Sequence, residues 1–179
     1  MKFYCIIFLI LFYSCKSRVT TNDLLVGKIL NNKFHFYTDT TKFKLLLNEN
    51  INFKDNVKLD KVQIIKQKSI GENPIDFYYI LVTDKTKRIK IAKWLDNIDG
   101  NLMFNERYTD KESSVKSHYI ICVGDKDCYP QFIILDTLKT WSCDKNLSCL
   151  IRTDSINSSC KIYKTVILSG KTYQYVLTD

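Results

Sequence analysis

From residue 34 onward, apolar and polar positions alternate in short blocks. Phe34 and Phe36 alternate with His35 and Tyr37, and Phe43, Leu45 and Leu47 alternate with Lys44, Leu46 and Asn48. A period of two puts successive side chains on opposite faces of a strand; residues 43–48 also admit a helix. Residues 57–70 alternate less regularly but are rich in β-branched side chains. Residues 75–82 form a nearly continuous apolar run, the pattern of a central strand buried on both faces. Asp84-Lys85-Thr86-Lys87 is a turn, and the alternation of Arg88, Ile89, Lys90 and Ile91 makes the return strand of a hairpin. Asp99-Gly100 is a second hairpin turn, leading into residues 102–104. Further strands are expected over 118–123, 131–135, 149–152, 161–168 and 172–177, with Ser169-Gly170 closing the last hairpin. Ahead of these, Thr21 or Asn22 can cap a short helix over residues 23–30, which Gly27 would weaken. Short strands at regular spacing predict a mainly β fold: a single antiparallel sandwich, open barrel or meander with one short N-terminal helix. An α+β fold is the alternative. Ala92 is the sole alanine, which argues against long helices.

The first residues follow a different pattern. Lys2 precedes an unbroken apolar and aromatic run, residues 3–13, that ends at Ser14-Cys15 and gives way to polar Lys16, Ser17 and Arg18. A membrane-spanning helix needs about 20 apolar residues, and this run is too short. A short positive segment, a short apolar core and then small residues make a secretory signal. Leu11-Phe12-Tyr13-Ser14-Cys15 resembles the lipobox of bacterial lipoproteins, in which an apolar residue, a variable residue and a small residue precede a cysteine. Ser14 stands at the small position and Cys15 at the modified one, while Phe12 and Tyr13 depart from the usual residues. The resemblance covers only about the first 20 residues. It implies cleavage before Cys15, diacylglycerol on its thiol and an acylated N-terminus. A single acyl chain holds a protein only marginally at a membrane, and two or three hold it stably. The expected organisation is a signal over residues 1–14, a lipidated cysteine and tether over 15–22, and one mainly β domain over 23–179. The chain would then work outside the cytoplasm, anchored at the cell envelope, with Lys16 weakly favouring outward sorting to an outer membrane or cell surface. Ordinary secretion without lipid is the competing reading.

A hydrophobic content of 45% with 26% charged residues is that of a globular chain. The formal net charge is +8, one less once Lys2 leaves with the signal. Nucleic acid is not the expected partner. The charge is nearly all lysine, spread along the chain, with only Arg18, Arg88, Arg107 and Arg152 to offer bidentate contacts. Besides the membrane reached through Cys15, the charge implies a solvated lysine surface or attraction to an anionic lipid or polysaccharide surface. Nothing identifies a protein partner.

Five cysteines follow Cys15. Four of them repeat one spacing, Cys122 with Cys128 and Cys143 with Cys149, each pair bracketing a polar loop between candidate strands. Facing cysteines across a hairpin lie at disulfide separation, and export makes bridges the expected state. The expected pairing is Cys122 with Cys128 and Cys143 with Cys149, leaving Cys160 as a free thiol or in exchange. Five intervening residues are too many for the usual zinc spacing, and the redox C-x-x-C is absent.

No catalytic constellation stands out, and no cofactor or metal is implied. His118 precedes Cys122 by four residues, about 13 Å along a strand and too far for a nucleophile and its base. His35 and His118 read as surface or structural residues. Asp96, Asp99 and Gly100 do not fit a calcium loop, and Asp125 and Asp127 around Lys126 look suited to balancing charge. Trp94 and Trp141 are expected in the core. A lipid-anchored accessory or binding protein is the leading expectation. A carboxylate-dependent envelope hydrolase, whose paired acids would stay invisible in sequence, and a secreted interaction protein are the alternatives.

Overall fold

A computed structural model describes residues 25–53, 57–105, 115–136, 138–144, 160–167 and 175–176. Its elements in chain order are β1 (Leu25–Leu30), β2 (Lys33–Phe36), α1 (Thr40–Asn50), β3 (Ile51–Asn52), β4 (Leu59–Lys68), β5 (Ile70–Gly71), β6 (Asp76–Asp84), β7 (Ile89–Ile98), β8 (Asn101–Phe104), β9 (Tyr119–Val123), β10 (Gln131–Leu135), β11 (Leu138–Ser142), β12 (Lys161–Thr165) and β13 (Tyr175–Val176). Among the described residues strand outweighs helix 58% to 12%, and the main sheet is open with antiparallel pairing, so the fold is mainly β.

The eight-stranded main sheet forks at β7. On one side β7 pairs with β6, which pairs in turn with β4. On the other side its first half pairs with β9 and its second half with β8. Beyond β9 lies β12, and beyond β8 lie β1 and β2. A three-stranded sheet, β11-β10-β5, packs on one face, and α1 packs on the other.

Two cores result, one on each face, and strand alternation divides the side chains between them. Ile80 and Val82 of β6, Ile91 and Leu95 of β7, and Tyr119 and Ile121 of β9 face the helix, where Phe43 and Leu47 close over them. Phe77, Tyr79, Leu81, Ala92, Trp94, Ile120 and Cys122 face the second sheet, meeting Phe132 and Trp141. Burial on both faces explains the apolar run at 75–82. Trp94 and Trp141 are core residues, Trp94 stacked on Phe77 and Trp141 edge-on to Phe77, Tyr79, Trp94 and Phe132. A polar seam crosses the same layer. The Tyr79 hydroxyl donates to Gln67 Oε1 at 2.9 Å, and Gln67 Nε2 donates to Gln131 Oε1, joining β6, β4 and β10. Burial first, and the neighbouring Tyr129 hydroxyl second, push the Tyr79 phenol well up, which keeps it a neutral donor. On the helix face Lys93 is 1% exposed, its Nζ 4.6 Å from the ring centre of Phe104 and 4.5 Å from that of Tyr119.

The first two predicted turns are present. Asp84–Arg88 links β6 to β7, and Asp99-Gly100 links β7 to β8 with positive φ at both positions, 51° and 82°. The helix expected over 23–30 is not there: residues 25–30 are β1. Gly27 sits where β1 meets β2 so closely that a Cβ would lie 2.5 Å from the carbonyl oxygen of His35, so the glycine fits a strand contact. The helix lies later. Asp39 accepts from the backbone N–H groups of Thr41 and Lys42 at 2.9 and 3.2 Å, and Phe43 and Leu47, four apart, form its buried stripe while Leu45 and Leu46 stay exposed. Residues 43–48 therefore take the helical option. The expected last hairpin also fails. β12 pairs with β9, whereas β13 pairs in parallel with β3 in a separate sheet. Residues 149–152 and Ser169-Gly170 lie outside the described residues.

The cysteine pairing differs from the expected one. Cys122 is bridged to Cys143, and Cys128 to Cys160, both with Cα atoms 5.5 Å apart. The local pairing assumed a hairpin between 122 and 131, but β9 and β10 are not partners. The chain leaves the main sheet after β9 and enters the second sheet at β10. Cys143, just past β11, returns to this crossing, where its carbonyl accepts from Tyr129 N–H at 2.9 Å. The Cys122–Cys143 bridge thus staples one sheet to the other. Cys128–Cys160 ties the crossing segment to the start of β12, so Cys160 is not free. Cys149 and Cys15 lie outside the described residues.

Candidate functional site

The ends of several strands converge on the helix-side face. Leu59 pairs with Asp84 and Ile89 with Val123, which brings the residues before β4, the β6–β7 turn and the end of β9 together. Between them lies an open groove of about 440 Å³, lined by Val57, Lys58, Asp84, Lys85, Thr86, Arg88, Ile89 and Val123. Val57, Ile89 and Val123 pack against the helix-side core and form an apolar wall. Lys58, Lys85 and Arg88 supply positive charge against one carboxylate.

That carboxylate is committed to holding the turn. Asp84 Oδ1 accepts from Ile89 N–H at 2.8 Å. Oδ2 accepts from Thr86 N–H at 3.0 Å and from the Thr86 hydroxyl. Burial pushes the Asp84 carboxyl up, but these donors together outweigh it and hold the group below the usual carboxylate range. A depressed folded-state value means stabilisation present above the unfolded carboxylate pKa and lost as the pH falls through the folded one. Asp84→Asn is therefore expected to cost about 2 kcal/mol at neutral pH, the scale of hydrogen bonds to a charged group. The gap should shrink below about pH 3.9, where the carboxylate is being protonated. Urea unfolding at pH 7 and at pH 3 checks this; an equal gap at both would contradict it.

Behind the turn, Lys90 is 2% exposed, and its Nζ donates to the carbonyl oxygens of Lys87 at 2.6 Å and Asp125 at 3.0 Å. Burial pushes its ammonium down, against the pull of Asp84, Asp127 and Asp125. Asp84, Asp127 and Asp125 thus favour the charged form of a buried cation. Among the described residues, Lys58, Lys85 and Arg88 form no ion pair.

The sequence-predicted residues lie elsewhere. Cys122, Cys128 and Cys143 are spent in bridges. His35 is exposed on β2 opposite Phe34 and Phe36, and His118 is half-buried ahead of β9. Asp96 accepts from Trp94 Nε1 and Asn105 Nδ2 and pairs with Lys116 at 3.4 Å. Among the described residues no three His, Cys, Asp or Glu side chains cluster to hold a metal, and no helix is long and apolar enough to cross a membrane. Sequence reasoning recognised the charged turn but missed the groove. Its signal was three cations packed into residues 85–88.

No protein-family model matches the chain, no curated protein matches it, and no solved structure matches its fold.

Proposed function

We propose that this chain is an exported protein of the cell envelope, held at a membrane through lipid on Cys15, that acts by binding an anionic partner. The observation that carries the reading is the pair of disulfides built into the fold, three of whose four cysteines are fully buried. Such bridges persist in oxidising compartments and are rare in the cytosol. The signal-like start of the chain and the lipobox-like residues before Cys15 support the same location. The groove supports binding: it offers cations and an apolar wall, and both oxygens of its one carboxylate are occupied. A carboxylate-dependent hydrolase would instead need two facing acids free to exchange protons.

Detergent phase partitioning of the wild type and Cys15→Ser tests the anchor. The wild type is expected in the detergent phase and the variant in the aqueous phase or unprocessed. Equal recovery of both in the aqueous phase would remove the lipid from the proposal and leave a secreted protein.

A further inference from the structure

We infer that the groove seats the phosphate of an anionic phospholipid in the membrane that carries the anchor, so that the domain lies with this end against the bilayer. The inference rests on the proposed lipid anchor, and three observations point to it. First, the groove is amphipathic. Lys58, Lys85 and Arg88 stand beside the apolar wall of Val57, Ile89 and Val123. A lipid presents this combination at the boundary between phosphate and acyl chain, whereas an anionic polysaccharide is polar throughout. Second, the positive charge is available. Three cations face one carboxylate, Asp84, whose oxygens are held by Thr86 and Ile89, and among the described residues none of the three is in an ion pair, so the groove keeps an excess of positive charge.

Third, the chain can reach. β1 is antiparallel to β8 and β8 to β7, so β1 runs in the direction of β7, away from the groove end. Leu25 pairs with Met103 and Met103 with Asp96, seven residues along β7 from Ile89. That places the start of β1 about 23 Å along the strands and about 10 Å across them from the groove end, roughly 25 Å in all at the usual strand rise and spacing. Ten residues separate Cys15 from Leu25, and an extended chain of that length spans at most about 35 Å. A membrane anchored at Cys15 is thus within reach of the groove.

The test uses the Cys15→Ser protein with vesicles of phosphatidylglycerol in phosphatidylcholine and of phosphatidylcholine alone, scored by flotation. The readout is the ratio of binding to anionic over neutral vesicles, compared between proteins that share the same N-terminus by mass. A triple variant, Lys58→Ala with Lys85→Ala and Arg88→Ala, should lower that ratio about 100-fold, the sum of three cations near an anionic surface. A second triple at exposed lysines elsewhere, Lys33→Ala with Lys42→Ala and Lys68→Ala, loses the same charge and should retain most of the ratio. Equal losses in both triples would overturn the inference, because net charge alone would account for binding. A ratio near one for the starting protein, or dextran sulfate bound in place of anionic vesicles, would also overturn it. Either result leaves the anchor to be judged by detergent partitioning. Conversely, a preserved vesicle ratio with an aqueous wild type would sink the anchor and keep the groove.

Discussion

Replacing Cys122 and Cys143 together by alanine is expected to lower stability by about 3 kcal/mol and the melting temperature by roughly 10 °C. The bridge spans 21 residues in sequence, and closing a loop of that length restricts the unfolded chain by about 3 kcal/mol. In a domain of this size each kcal/mol moves the midpoint by about 2–4 °C. The effect exceeds the roughly 2 kcal/mol expected of a bridge closing only a short local loop. This bridge also fixes the second sheet onto the first, beside the aromatic core. Thermal melts of wild type and variant, with and without reductant, provide the check. The oxidised wild type should stand apart from both its reduced form and the variant. A variant melting with the oxidised wild type would show that the cross-sheet link contributes nothing.

Trp141→Ala should be the most damaging single substitution, at about 4 kcal/mol. Trp141 is 1% exposed, and its ring lies 5.5–6.3 Å, centre to centre, from those of Phe77, Tyr79, Trp94 and Phe132. Truncating a buried tryptophan costs about 3–5 kcal/mol through lost transfer energy and the cavity left behind. Its Nε1 also donates to the Val115 carbonyl at 3.1 Å, and the variant leaves that oxygen without its donor. Trp141→Phe keeps a ring in the layer and loses the donor, so about 1–2 kcal/mol is expected. Denaturant unfolding should rank the alanine variant well below the phenylalanine one. Similar midpoints for the two would place the ring's contribution elsewhere.

The parts of this fold legible in the sequence are those decided by neighbours in the chain. The apolar run at 75–82 reads as a central strand because both of its faces are covered, and Asp99-Gly100 reads as a hairpin because positive φ is needed at both positions. Where the local pattern supports two periods, the reading divides. Phe43 and Leu47 satisfy a strand through Leu45 and a helix without it, and the decision lies with Asp39 at the cap. β1 was expected as a helix because nothing in residues 25–30 announces that Gly27 must admit the backbone of His35. The cysteine pairing fails for a non-local reason. Cys122 and Cys128 are near in sequence, but the chain changes sheets between them, and each finds its partner beyond the crossing. The groove is hidden likewise: Lys58 joins Lys85 and Arg88 only through the register of β4 with β6.

The most direct test of export, anchoring and cross-sheet bridging together is the intact mass of the mature protein, read with a non-reducing peptide map. The expected species begins at Cys15, carries diacylglycerol and an N-terminal acyl chain, and contains two disulfides, with Cys122 joined to Cys143 and Cys128 to Cys160. A chain that begins at Met1, unlipidated and with its cysteines reduced, would contradict the proposal of an exported, anchored protein.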